Sequence, residues 1–386
     1  TPWAGQTVEH RQAEDADVLL RLRIDGVLKT ICTFTHMEYA AYVQKIKFIW
    51  GMKMNIDYLP QDGRLSFDVD LANNVHKKID VRINSMPWIK SESLVLRYLD
   101  GTRSSSTFED IGFRGKWYDQ LRTALGKHEG MILVTWPTGS WKTTTLYTIL
   151  RTLNDGSRKL ITLEDPVEYM VEGIEQSQIN YAKWYTFEEW LKAILRHDPD
   201  IILVGETRTA ETAMTSLNAA LTGHLVFSTL HTNSALDSVS RLLMMGVESY
   251  LLAPALQLIV AQRLVRRVCP HCMTQRPVTD QEDAHITKII KTIQDIRPDL
   301  TLRYDKTVPH APGCDHCQWT GYIWRIAIIE VMEVTPEIRN AIVDKSSDTA
   351  VIMQLMRNNG FLNLAEDGMI KMLQGQTSIE ELRRVI

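Results

Sequence analysis

An apolar run, Met131-Ile-Leu-Val-Thr135, leads into Trp136-Pro-Thr-Gly-Ser-Trp-Lys-Thr143, and a helical pattern starts near Lys142. The spacing has the outline of G-x-x-x-x-G-K-[ST], the loop that holds nucleotide phosphates, with tryptophan on both defining glycines. The rest of the loop keeps its chemistry. Backbone N–H groups of the turn that comprises Pro137, Thr138, Gly139 and Ser140, with the helix N-terminus behind them, would hold phosphate. Lys142 would reach the β- and γ-phosphates, and the Thr143 hydroxyl, with Thr144 beside it, would serve Mg2+. Glycine belongs in such a loop because the backbone needs φ > 0 and must approach the phosphates closely. A tryptophan forced into that conformation costs roughly 1–3 kcal/mol of strain. Further on, Ile201-Ile-Leu-Val-Gly-Glu206 is an apolar strand ending in a carboxylate. A Walker B segment presents its acid in this way, and Glu206 would orient or activate the attacking water.

The second set of reactive residues is sulfur. Cys269, Cys272, Cys314 and Cys317 form two C-x-x-C pairs, Cys-Pro-His-Cys and Cys-Asp-His-Cys. Each pair points two thiolates at one spot, and two such knuckles make a tetrahedral Zn2+ site with four sulfur ligands. Disulfides and a redox pair are the alternatives; the absence of a secretory signal argues for a reducing compartment. His271 and His316 lie inside the knuckles and are expected beside the site, not as ligands. Cys32 stands alone and reads as a small buried apolar residue.

The elements that must position these groups fall into two parts. Residues 1–99 alternate strand-like runs (Leu19 to Ile24, Val81 to Asn84, Leu94 to Tyr98) with one helical stretch, Glu38 to Met52, and predict a small α+β domain. Asp100 to Thr107 is polar and turn-rich, and a linker is expected over 100–118. From 119 to 386 short buried strands (Met131 to Thr135, Lys159 to Leu163, Ile201 to Val204, Leu225 to Thr229) alternate with helices, which argues a parallel α/β sheet. Within it, 269–317 would form the zinc subdomain and 331–386 a helical C-terminal region. The 386 residues are 44% hydrophobic and 23% charged, ordinary for a globular chain, and the net charge of −4 offers no basic field for nucleic acid. The best apolar stretch, Tyr250 to Ala261, is too short for a membrane span. No basic-then-apolar leader opens the chain, so no signal peptide is expected, and the first residue, Thr1 instead of Met, suggests a fragment.

Beyond these motifs the chain carries Leu163-Glu-Asp-Pro-Val-Glu-Tyr169, Gly205-Glu206, Ser228-Thr-Leu-His231 and Gln262-Arg-Leu-Val-Arg-Arg267. With the tetracysteine region, these resemble the aspartate box, Walker B end and histidine box of the hexameric ATPases of type II secretion and type IV pilus assembly. The likeness runs from about residue 8 to the C-terminus, and the tetracysteine insert points to the assembly or secretion branch. The resemblance implies a RecA-like α/β core behind a PAS-like N-terminal domain, with ATP, Mg2+ and Zn2+ as cofactors. It implies that Glu164 and Asp165 supply negative charge beside Mg2+, and that Thr229 and His231 sense the γ-phosphate. Arg64 and Arg82 would reach the triphosphate from the N-terminal domain as it closes, and Arg325 would lie near the nucleotide. It further implies a homohexameric ring, cytoplasmic and peripheral to the inner membrane, that drives an inner-membrane platform protein. Neither nucleic acid nor a transmembrane segment is expected.

The resemblance also locates six of the ten tryptophans. Trp136, Trp141, Trp184, Trp190, Trp319 and Trp324 fall where the family has glycine. UGA means Trp in some genetic codes and Gly in others, so translation with the wrong code is the expected cause. Reading the six as glycine raises the count from 20 toward the usual ~7%. The rival is a true loss of nucleotide binding, which would make the chain a non-catalytic pseudo-ATPase scaffold in the same assembly. A RecA-type nucleic-acid translocase is a third reading, disfavoured by the acidic balance.

Overall fold

The computed structural model describes residues 7–12, 17–71, 75–88, 91–99, 107–135, 142–180, 185–344 and 349–386. The chain divides into two units, Thr1–Ser104 and Ser105–Ile386.

The first unit is an antiparallel sheet backed by one helix. Its elements are β1 (Thr7–Gln12), β2 (Asp17–Ile24), β3 (Val27–Thr35), α1 (His36–Ile49), β4 (Gln61–Leu71), β5 (Val75–Pro87) and β6 (Glu92–Leu99). The strand order is β3-β2-β1-β6-β5-β4. Asp25 and Gly26 both have positive φ, as the two-residue turn between β2 and β3 requires. Thr35 and Glu38 form a reciprocal capping box at the start of α1. The helix then buries Tyr39, Val43 and Lys47, four residues apart, against Val18, Ile83 and Leu94. Lys47 is fully buried, so its charge must be matched: it pairs with Glu92 and donates to the Ile56 carbonyl.

The second unit opens with α2 (Phe108–Ile111) and α3 (Gly115–Leu125) and continues with β7 (Gly130–Thr135), α4 (Lys142–Leu153), β8 (Leu160–Glu164), β9 (Glu175–Gln178), α5 (Phe187–Ile194), β10 (Ile201–Val204), α6 (Ala210–Leu221), β11 (Leu225–Leu230) and α7 (Ala235–Met244). It closes with α8 (Ser249–Ala255), β12 (Leu256–Val268), β13 (Thr274–Pro277), α9 (Asp280–Ile296), β14 (Thr307–His310), β15 (Tyr322–Glu333), α10 (Pro336–Asp344), α11 (Thr349–Asn358), α12 (Leu364–Leu373) and α13 (Ile379–Val385). Seven strands form one sheet in the order β15-β12-β7-β11-β10-β8-β9, parallel except for the antiparallel β12–β15 pair. Side chains alternate between its faces. Ile132, Val134, Leu203 and Phe227 pack with Leu146, Leu150 and Leu121 on one side. Met131, Leu133, Ile202 and Val226 pack with Leu191, Leu217 and Val239 on the other. Burial on both faces is why these strands read as unbroken apolar runs.

Residues 107–118, expected as linker, instead form α2 and the start of α3. Phe108, Ile111, Phe113 and Trp117 belong to the core of the second unit. The polar run before them masked this apolar periodicity. Tyr250 to Ala261 divides into α8, with Pro254 inside it, and the start of β12. Among the described residues, no helix is long and apolar enough to cross a membrane.

Candidate functional site

The chemistry gathers at the C-terminal edge of the parallel strands, where open α/β sheets bind their ligands. Register fixes the neighbours. Thr135, the last residue of β7, pairs with Leu230 of β11, and Val204 of β10 pairs with both Ser228 of β11 and Leu163 of β8. Thr135 at the end of β7, Glu206 after β10, His231 after β11 and Glu164 at the end of β8 therefore sit in adjacent columns. Lys142 and Thr143 open α4, with their backbone alone described. Trp136, Pro137, Thr138, Gly139, Ser140 and Trp141, and Trp184, lie outside the described residues. Thr144 is half-buried in the first turn of α4, where its carbonyl accepts from the Thr148 hydroxyl at 2.8 Å.

Glu206 is 5% exposed, yet its carboxylate reaches Arg208 and His231. Arg208 lies 2.7 Å from Oε1, and His231 Nε2 lies 3.6 Å from Oε2. His231 is about half exposed, so the pair lies at the protein–solvent boundary, where a water or phosphate can enter. Arg208 did not stand out in the sequence; its only signal is that it follows the strand-end acid by two positions. Gly205 has no Cβ, and one placed there would meet the Leu163 carbonyl at 2.9 Å. Glycine thus lets the Glu206 turn pass close to the end of β8.

Thr229 differs from the expected sensor. It is 1% exposed and its hydroxyl donates to the Gly205 carbonyl at 2.6 Å. It holds the Glu206 turn from behind. The two acids of the aspartate box also part company. Asp165 is exposed, while Glu164 is buried and its oxygens accept hydrogen bonds from Tyr147 of α4, Thr162 and Gln176. Burial raises the Glu164 carboxyl above the ordinary carboxylate range, against the pull of those three donors.

In the first unit, register places Arg64 of β4 opposite Arg82 of β5, and Arg82 opposite Arg97 of β6. Directly paired residues share a face, so the three guanidinium-bearing side chains form one row. Like charges in such a row repel, and an anion relieves the repulsion. Arg64 is partly offset by Asp80 at 3.0 Å. Arg325 is half-buried on β15, opposite Arg266 of β12. Because Ala261 of β12 pairs with Thr135, Arg325 lies beyond the C-terminal end of β7.

The four knuckle cysteines converge, with all four Sγ atoms within 4.8 Å of one another, whereas Cys32, expected to be buried, is exposed on β3. Three of the separations are 3.9, 3.9 and 3.8 Å. A tetrahedral ion with ~2.3 Å bonds to sulfur spaces its ligands at about this distance, whereas a disulfide would bring two sulfurs to ~2 Å. The donor set fits a metal. Burial pushes the Cys317 thiol up, but N–H groups of Cys314 and Gly321 outweigh it and hold the thiol at about 7. Burial and the three other cysteines push Cys272 up to about 12. Four thiolates this close need a cation between them. His271 and His316 contact each other with ring centroids 3.9 Å apart and ring planes tilted by 50°, outside the ligand cluster.

Two tryptophans beside the second knuckle have unusual backbones. Trp319 and Trp324 have φ of +59° and +65°. L-residues with bulky side chains rarely enter this left-handed region. Trp319 is 71% exposed, so little packing compensates.

The family model for the type II/IV secretion system protein matches residues 8–384. This chain belongs to that family. Among the relatives, family member type II secretion system protein E of Dickeya dadantii is 39% identical over 97% of this chain and 71% of its own length. The protein of the same name from Aeromonas hydrophila is 38% identical, with the same coverage. The type IV pilus assembly ATPase PilB of Thermus thermophilus is 38% identical over 97% of this chain, which spans 40% of that relative. Among solved structures, the ATPase DotB of Legionella pneumophila matches with TM-score 0.67 and 19% identity over 98% of this chain and 90% of its own. The pilus retraction motor PilT with bound ADP gives 0.59 and 23%, over 99% and 93%. At these identities the structures speak for the fold alone, a mixed α/β architecture built on a large, mostly parallel sheet.

Proposed function

We propose that this chain is the ATP-hydrolysing part of a motor for type II secretion or type IV pilus assembly. The observation that carries the reading is the meeting of Glu206 and His231, 3.6 Å apart, with His231 after β11, one strand from β7, and Glu206 after β10, two strands from β7. Lys142, Thr143 and the preceding turn would hold the phosphates of ATP, and Asp165 with Glu164 would stand near Mg2+ and its waters. Glu206 would orient the attacking water and His231 would respond to the γ-phosphate. Arg64 and Arg82 would supply positive charge to the phosphates when the two units close, within a ring of six copies acting on an inner-membrane platform protein. Cys269, Cys272, Cys314 and Cys317 would hold one Zn2+ as a structural ion.

This function needs glycine at 136 and 141. The left-handed backbone at Trp319 and Trp324 supports misreading of glycine codons as their common cause. Sequencing the native polypeptide by mass spectrometry decides it: glycine in the peptide spanning 136–141 is expected. Tryptophan there would favour the pseudo-ATPase scaffold. ATP hydrolysis by the chain with glycine at both positions is then compared with that of the chain as written. Turnover only in the glycine form is expected, and no turnover in the glycine form would overturn the motor reading.

A further inference from the structure

Glu330 lies on the edge strand β15 and is 3% exposed. Its carboxylate spans the starts of two helices. One oxygen accepts from the backbone N–H of Ala235, the first residue of α7, at 2.6 Å. The other accepts from the N–H of Leu364, the first residue of α12, at 3.1 Å. The caps Ser234 and Asn363 serve N–H groups further in, Asp237 and Glu366. Glu330 thus satisfies the first donors that the caps leave over. Both helix dipoles favour an acidic group at this point.

The four residues from His231 to Ser234 join β11 to α7, and both ends of this connection are held. At the first end, Thr135 accepts from the N–H of Thr232 at 3.1 Å. At the far end stands Glu330. On its other side, α12 is locked to β15 by a fully buried pair. Asp367 accepts from the Ile329 N–H at 2.6 Å, and Lys371 bridges Asp367 and the Ala327 carbonyl, each at 2.6 Å.

We propose that Glu330 is a positioning residue for His231, a joint that fixes the start of α7 to the β15–α12 block and so transmits changes at the nucleotide sensor to the C-terminal helices. Its effect on turnover rests on the ATPase reading above; the mechanical linkage does not.

The test substitutes Glu330→Gln in the full chain with glycine at 136 and 141. The amide keeps the side chain's size but offers one acceptor instead of two. In the nucleotide-free protein, amides 231–235 and 363–366 are both expected to exchange with deuterium faster than in the unsubstituted chain. Faster exchange at 363–366 alone, or at neither, overturns the proposal. For hydrolysis, kcat is expected to fall roughly tenfold to a hundredfold through misplacement of His231, with KM for ATP within about twofold. An unchanged kcat also overturns it. If the variant does not fold, the unsubstituted chain is compared with and without a non-hydrolysable ATP analogue. Protection gained at 231–235 must then extend to 363–366, and protection confined to 231–235 overturns the joint. Failure of the motor reading would look different, since the unsubstituted chain itself would neither bind the analogue nor turn over ATP.

Discussion

Trp319 and Trp324 show how a side chain can be wrong for its backbone. A non-glycine residue in the left-handed region costs roughly 1–2 kcal/mol, and glycine has no such cost. Trp319→Gly and Trp324→Gly should each raise the denaturant midpoint, by about 1 kcal/mol in unfolding free energy. An unchanged or lower midpoint would mean that the indoles contribute packing that outweighs the strain. At Glu206, the Gln substitution would remove the carboxylate proposed to orient the attacking water but keep the side chain's shape. Hydrolysis should fall by about two to four orders of magnitude while ATP affinity, read by fluorescence titration, stays within severalfold. The residue types at 142, 143, 206, 231 and the four cysteines stand out in the sequence, and the structure brings the four cysteines together and sets His231 beside Glu206. Thr229 did not announce its role, because a serine or threonine at a strand end can face a ligand or its own backbone, and only the hydrogen bond to Gly205 distinguishes them.

At the scale of elements, the site depends on how closely strand ends approach. Gly205→Ala would place a methyl 2.9 Å from the Leu163 carbonyl, which is backbone and cannot yield cheaply. The variant should lose about 1–3 kcal/mol of stability and lose hydrolysis with it, since the β8 and β10 ends must separate. Glu330 makes a second prediction here. Burial is the main cause pushing its carboxyl from the ordinary 4.5 up to about 7; N–H groups of Ala235 and Leu364 and the charge of Arg263 oppose this, and Asp237 adds to it. The folded value lies above the unfolded one, so the group's contribution is fully present below pH 4.5 and lost as pH rises to about 7. The loss amounts to about 3 kcal/mol and is complete above that range. Glu330→Gln should flatten this part of the stability–pH curve, and a curve of unchanged slope would show that the carboxyl titrates normally. The helices and short buried strands were legible from periodicity. The pairing of β12 with β15 was not, because 53 residues' worth of other elements lie between the two strands in sequence, and a distant antiparallel partner leaves no local signal.

At the scale of the molecule, the tetracysteine cluster is tied to the C-terminus. Arg266, three residues before Cys269, donates from Nε and Nη2 to one oxygen of Glu381 of α13 and from its backbone N–H to the other, and Arg276 of β13 bridges Glu282 and Glu380. Tyr322 shares a hydrogen bond with Ser378 at 2.7 Å. Removing the metal, by chelation or by Cys314→Ser with Cys317→Ser, should abolish about one bound zinc per chain. It should also lower the melting temperature of the second unit while leaving that of the first unit in place. Equal loss in both, or none in either, would contradict a structural ion confined to the second unit.

The sequence alone determined the chemical inventory and the class of fold. Phosphate loops, metal knuckles and buried parallel strands are local patterns, set by the spacing of a few residues along the chain. Tertiary structure decided which of those residues face outward. It turned Thr229 and Glu164 inward while leaving Asp165 exposed, lined up Arg64, Arg82 and Arg97, and brought Glu330 between two helix starts. Those outcomes depend on register and on which elements pack together, and such contacts join residues too far apart in the chain for any local pattern to record them.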